Sequence, residues 1–330
     1  MESMSKRERI QAAVRGKEVD RIPFSVWYGC PQYDQDPIAL AEEEVRQARV
    51  YDVDFIKINP NALYVAQDYG LSLQFFCTPA QNAKVRRYGI RDVKEWGELR
   101  ALPATYGTYG KTLQIAHYMR KELNGEDIPF IQTIFSPLTI AKKLAGDRTL
   151  EDMRNEPEIF SQALQAITDT LIHFVQANKE EGVSGFFCGT NTATTDQLSP
   201  EEFERFEAFY YRQVFEAMGD DVLIKMLHAH GDHTYFKEMA EYDVNCIHWH
   251  SRTCSWPDMR EARGLTNKCL AGGIDENWLA GAKPEEIYGH IKEAVDLAGR
   301  NGLIVGPGCT CKGTTPEQNF RAVGEAVKLL

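Results

Sequence analysis

The sequence predicts a (β/α)8 barrel of the TIM type, and three observations carry that expectation. A length of 330 residues is ordinary for such a barrel with insertions. Eight short apolar runs alternate with amphipathic stretches of helical period, the pattern of parallel strands joined by crossover helices. No Gly-rich GxGxxG turn follows an early strand, which removes the main sign of an open doubly wound sheet.

In chain order, a helix over about Ser5 to Val14 precedes a strand at Ile22–Tyr28 (IPFSVWY). Pro37 opens a helix through Ala39, Leu40, Val45 and Ala48, and the strand Asp54–Asn59 (DFIKIN) follows. Residues from about 61 to 109 mix Gly, Pro and aromatics without alternation, so an elaborated loop region over one barrel face is expected there. The other six strands read at Pro129–Ile134, Gly185–Cys188, Val222–Leu227, Val244–Trp249, Lys268–Ala271 and Leu303–Val305. Helices lie between them, for example Ser199–Met218 and Pro284–Ala298. Ser199-Pro200-Glu201-Glu202 combines an N-cap serine, a first-turn proline and acids facing the helix dipole, and Thr315-Pro316-Glu317 repeats that logic. No repeat, low-complexity tract or linker divides the chain, so residues 1–330 read as a single barrel domain.

Composition narrows the function classes. The excess of 48 acidic over 37 basic residues gives a net charge of −11, which argues against nucleic acid or an anionic membrane as main partner. No segment approaches the ~20 apolar residues of a membrane helix, and MESMSKRERIQAAVRGKE lacks the apolar stretch of an export signal. The eight cysteines are too sparse for a disulfide scaffold and are expected to be reduced, in a cytoplasmic protein.

In a barrel the chemistry sits where strands end at the C-terminal face. The fifth strand runs into Leu227-His228-Ala229-His230-Gly231, and residues two apart on an extended strand point the same way. His228 and His230 can therefore hold a divalent ion such as zinc, or act as a metal-free hydrogen-bonding or acid/base pair. The eighth strand runs into Gly306-Pro307-Gly308-Cys309-Thr310-Cys311, where Cys309 is a third candidate ligand and Cys311 a reserve. The sixth strand, beside the fifth, ends in Cys246-Ile247-His248-Trp249-His250, so His250 is a candidate fourth ligand or supporting contact. Cys246 and His248 read as a polar stack lining the barrel. Asp275 at the end of strand seven is a further catalytic candidate. Tyr28, Asn59, Gln132 and Asn191 are candidate substrate contacts, with Asp54 and Lys57 as further pocket polars on strand two and Trp27 beside Tyr28 as a wall for a planar substrate.

Several of these segments, in their order and spacing, resemble the uroporphyrinogen decarboxylase superfamily over nearly the whole chain. They are PFIQTIFSPLTIAKKLAG, GFFCGTNTATTDQLSPEEFERF, KMLHAHGDHTYFKEMAEYDVN, LAGGIDENWLAGAKPEEI and GLIVGPGCTCKGTTPEQNFRAV. The superfamily divides into porphyrinogen decarboxylases and zinc methyltransferases that act on corrinoid proteins, coenzyme M or related thiols. The decarboxylases carry an arginine-rich motif near the N-terminus, whereas here Ser25-Val26-Trp27-Tyr28-Gly29-Cys30 offers no arginine. The methyltransferase branch is the better likeness through its His-x-Cys…Cys zinc pattern, matched by His228 and Cys309 but with His230 in place of the middle cysteine. The resemblance implies zinc on His228, His230 and Cys309. It implies cobalamin carried by a separate corrinoid protein, and methyl transfer involving a methoxylated aromatic, a similar methylated compound or a thiol. At least one zinc position should stay open, because a closed cage of four protein ligands marks a structural site. A lyase acting on a smaller anionic substrate and a non-catalytic metal- or corrinoid-binding protein remain the alternatives. The oligomeric state, a homodimer included, is left open.

Overall fold

The computed structural model describes residues 3–330. Seven strands form one parallel sheet: β1 (Ile56–Lys57), β4 (Phe130–Phe135), β5 (Gly185–Thr190), β6 (Ile224–Ala229), β7 (Cys246–Trp249), β8 (Cys269–Ile274) and β9 (Leu303–Pro307), neighbours in that order. Between β1 and β4 the chain makes a separate antiparallel hairpin of β2 (Ser72–Gln74) and β3 (Lys84–Arg87).

Residues 22–28 close the barrel between β9 and β1. Ser25 N donates to Val305 O at 3.0 Å and Val305 N to Pro23 O at 2.9 Å, while on the other side Asp54 N donates to Phe24 O at 2.8 Å. The expected strand here is extended but bridged to β9 only at Phe24–Val305 and Tyr28–Cys311. Pro23 has no N–H to give, which interrupts a regular ladder.

Closure separates two cores. Trp27, Phe55, Ile131, Phe187, Met226, Cys246 and Ile304 fill the barrel interior, and Ile10 and Ala13 of the helix Lys6–Val14 pack beneath them. A larger apolar layer joins the outer face of the sheet to the surrounding helices. The interior face thus carries every second residue of each strand.

Asp54 is fixed at the N-terminal end of the barrel rather than at the mouth. Its buried carboxylate accepts from Arg9 Nη1 and Arg21 Nη1, each at 2.6 Å, and from Phe24 N at 2.9 Å. It clamps the first helix and the closing segment to β1.

The expected loop region of 61–109 contains a short helix (Tyr64–Gln67), the hairpin, a 3-10 helix (Val93–Glu98) and the start of the helix Gly107–Leu123. It follows the C-terminal end of β1 and so lies on the mouth side. The hairpin tip reaches the loop after β9: a Cβ on Gly313 would sit 3.1 Å from Pro79 O. The helix expected over 199–218 starts at the Ser199 capping box but passes through a π-helical stretch, Phe203–Ala208. There the buried Glu207 turns inward to accept from Thr190 Oγ1 at 2.6 Å and Thr192 Oγ1 at 2.9 Å, holding the loop after β5. Among the described residues, no helix is long and apolar enough to cross a membrane.

Candidate metal centre

Four side chains meet at the mouth. The ligand atoms of His228, His230, His250 and Cys309 all lie within 4.8 Å of one another. The register pairs His228 of β6 with His248 of β7, and continued alternation brings His230 and His250 up on the same side. Cys309 arrives from the turn after β9, where Gly308 leaves room: a Cβ there would lie 3.3 Å from His250 Cα and 3.1 Å from Glu276 Oε2.

The donor set fits a divalent ion of borderline softness. His250 Nε2 is 3.0 Å from His230 Nδ1, and Cys309 Sγ is 3.9 Å from the same atom. Donors around tetrahedral zinc, at Zn–N ~2.0–2.1 Å and Zn–S ~2.3 Å, stand roughly 3.3–3.6 Å apart, between those two separations. His228 is buried, whereas His230, His250 and Cys309 are each partly open to solvent.

Protonation is set by the surroundings. Burial and the neighbouring histidines hold His228 well below the usual imidazole range, and burial pushes His230 down to about 4 and His248 to about 3. All three are neutral at pH 7, with lone pairs to offer. Burial raises the Cys309 thiol, so ligation must displace its proton.

The tautomers follow from geometry. His248 Nε2 is 2.6 Å from Pro307 O, which can only accept, so the proton sits on Nε2 and His248 Nδ1 is a lone pair. His228 Nδ1 lies 2.7 Å from that lone pair and must donate to it. The chain of two bonds leaves His228 Nε2 unprotonated and available to a metal. On the next strand end, Glu276 Oε1 stands 3.6 Å from His250 Nδ1, favouring a proton there and freeing His250 Nε2.

Other expected site residues fall in different places. Asp275 is the N-cap of the short helix Glu276–Leu279, its carboxylate accepting from Asn277 N at 2.9 Å and Trp278 N at 3.1 Å, so it caps a helix and the acid at the cluster is Glu276. Tyr28 turns outward, stacked on Phe320 at 5.1 Å between centroids with its hydroxyl 3.2 Å from Glu43, while Trp27 takes the interior position. Gln132 shares a face with Phe130 and Ile134 in the outer layer, fully buried, its amide N and O without partners among the described residues. Cys311 is buried in that layer as well and does not join the cluster. Asn191 stands on the loop after β5, half-buried, its backbone held by Thr139 Oγ1 and Gln197 Nε2.

Asn59 faces the mouth. It accepts from the buried Lys57 Nζ at 2.6 Å and, with Asp34, Asn61, Asn82 and Thr310, lines a cavity of about 230 Å³. Lys57 Nζ lies 4.5 Å from the Phe187 ring centre, and Phe187 stacks on His228 at 5.1 Å, which places a cation directly under the cluster. Burial lowers this ammonium to about 8, and likewise that of Lys143, whose Nζ lies 4.3 Å from the Phe135 ring centre. Phe135 and His228 flank Gly189 in register, and β5 contributes no side chain there because the Phe135 ring packs over it, 3.1 Å from where a Cβ would stand. A second cavity, of about 510 Å³, lies at the N-terminal end around Arg7, Arg15 and Asp221, away from these groups.

Residues 5–330 match the family described as Uroporphyrinogen decarboxylase (URO-D). The chain belongs to that family. Among curated relatives it is 23% identical over 344 residues to "Methylcobamide:CoM methyltransferase MtbA" of Methanosarcina mazei, covering 99% of both chains. It is 25% identical over 349 residues to "Uroporphyrinogen decarboxylase 2, chloroplastic" of Oryza sativa subsp. japonica, covering 96% of this chain and 85% of the relative. A solved structure titled "methyltransferase from Methanosarcina mazei" superposes with a TM-score of 0.85 at 18% identity, covering 99% of each chain, which shows a shared barrel fold.

Proposed function

We propose that this chain is a zinc-dependent methyltransferase, moving a methyl group between a small substrate and a corrinoid carried by a partner protein. The observation that carries the reading is the convergence of His228, His230, His250 and Cys309 at the barrel mouth. Two further points support it. A relative aligned over the full length is named a methylcobamide methyltransferase, and residues 25–30 carry no arginine to grip a porphyrinogen's carboxylates.

Zinc held there would supply Lewis acidity, lowering the pKa of a coordinating thiol or favouring departure of the aryloxide when a methoxy group gives up its methyl. The chain's own residues do the rest. His228 and His250 present Nε2, held in that tautomer by His248 and Glu276. The cavity along Asn59 is of a size to admit a compact substrate, a methoxylated aromatic or a thiol. Four protein donors would fill a tetrahedral site, against the open position expected from the sequence and in the manner of a structural site, so the catalytic reading requires one of them to yield to substrate. His250 is the member for that role, because its imidazole can turn back onto Glu276.

The test is metal content together with corrinoid-dependent methyl transfer in wild type, His228→Ala, Cys309→Ser and His250→Ala. The first two variants should lose metal and activity together. His250→Ala should keep part of both. Full activity in metal-free Cys309→Ser protein would end the proposal. Wild-type protein that transfers no methyl group in this assay would instead favour the second reading, a metal-independent lyase on a small anionic substrate, for which Lys57 and Lys143 at the mouth are the supporting observation.

A further inference from the structure

We infer that the β2–β3 hairpin is the docking face for the corrinoid-carrying partner, and that the partner surface it meets is acidic. The inference rests on the methyl transfer proposed above, and its own support lies in four features of the hairpin.

The first is position. The hairpin leaves the end of β1 and crosses the mouth until its tip at Pro79 lies against Gly313, on the loop that carries Cys309. Asn82 and Ala83, just before β3, roof the cavity that Asn59 and Thr310 line from below. A macromolecule bringing a corrinoid to the cluster therefore meets this strap.

The second is charge. Between Asp68 and Arg91 the chain has Lys84, Arg86 and Arg87 and no acidic residue, within a molecule of net charge −11. None of the three enters an ion pair or a side-chain hydrogen bond among the described residues, although most buried and many exposed arginines elsewhere do, as Arg9, Arg49 and Arg154 illustrate. Three like charges within four residues repel one another, and an opposing acidic surface relieves that repulsion. An acidic partner approaching a chain of this net charge is repelled over most of the surface and attracted here, which fixes where and how it lands.

The third is exposure. Every residue of β3 is exposed, and its outer edge pairs with no strand among the described residues. The fourth is composition. Phe75 and Phe76 are half-buried yet belong to neither core, Val85 and Tyr88 are exposed, and Lys84 Nζ lies 5.8 Å from the Phe76 ring centre. Aromatic residues interleaved with arginine are the composition of interface centres rather than of plain solvated surface.

The experiment compares wild type with a Lys84→Glu/Arg86→Glu/Arg87→Glu variant and a milder Lys84→Gln/Arg86→Gln/Arg87→Gln variant. Two probes are used: a methylcobalamin-loaded corrinoid protein from the same cell, and free methylcobalamin. The acidic variant should bind the corrinoid protein about tenfold or more weakly, the glutamine variant should fall between, and wild-type affinity should drop as salt shortens the Debye length from ~30 to ~8 Å. Zinc content, thermal midpoint and binding of free methylcobalamin should stay at wild-type levels in the glutamine variant. Wild-type affinity of both variants for the corrinoid protein would overturn the inference and leave the methyltransferase reading standing. So would a wild-type protein that prefers duplex DNA to the corrinoid protein at this patch. Wild-type protein that engages neither corrinoid and transfers no methyl group would instead sink the underlying reading.

Discussion

His248 touches no substrate in this arrangement, yet the state of His228 depends on it. Removing it with His248→Ala should weaken zinc binding by ~10–100-fold, the usual effect of losing a residue that orients a ligand. His248→Gln, whose amide can accept from His228 and donate to Pro307 O, should recover much of that loss; chelator competition measures both. Acid should act on the same residues. The half-buried His230 imidazole and the buried His248 imidazole have folded values near 4 and 3, below the usual 6.5, so between those limits the unfolded chain takes up protons that the folded chain refuses. Stability of the metal-free protein should therefore be fully present above about pH 6.5 and fall steadily as the pH drops towards 4. A thermal midpoint that stays flat across that window would contradict the neutral, buried assignment. Most of the cluster was readable in the sequence, because alternation along a strand places His228 with His230 and a glycine turn exposes Cys309. The roles of His248 and Glu276 were not. One depends on a carbonyl 59 residues away, and the other looks like any acid in the first turn of a helix.

At the level of elements, the Arg9–Asp54–Arg21 clamp holds the first helix, the closing segment and β1 together. Asp54→Ala would leave two guanidinium groups without their shared, fully buried partner. It should cost roughly 3–5 kcal/mol, read as a lower denaturation midpoint, with zinc stoichiometry unchanged in the folded fraction. Gly185→Ala should also destabilise, because its Cβ would fall 1.9 Å from Ile224 O across the β5–β6 ladder. The order of helices and strands was legible from periodicity, yet which residues face inward was harder to read. Parallel barrel strands are apolar on both faces, so pattern alone does not tell Trp27 from Tyr28 or place Gln132 in the outer layer. Pro23 likewise hides the closing segment, which follows the path of a strand without its ladder.

For the whole molecule, the barrel is continuous only where residues 22–28 meet β9, so the two ends of the chain depend on each other. A chain truncated before Leu303 should expose two unpaired sheet edges, hold zinc only weakly at the mouth and associate, which light scattering and metal analysis would detect. The electrostatic balance belongs to this scale too, since a basic hairpin on an acidic body makes partner recognition depend on ionic strength in a way that substrate chemistry does not. The meeting of the two ends also sets an order in time. Cys309 follows a strand that pairs with residues synthesised nearly three hundred positions earlier. Contacts of such long range form late in folding. The histidines can be in place well before then, but the thiolate that completes the set arrives only with closure. If the four donors hold a metal as proposed, its capture should report on assembly: a nascent or ruptured barrel would be left with a weaker, histidine-only site, and a tightly held ion would mark a finished molecule.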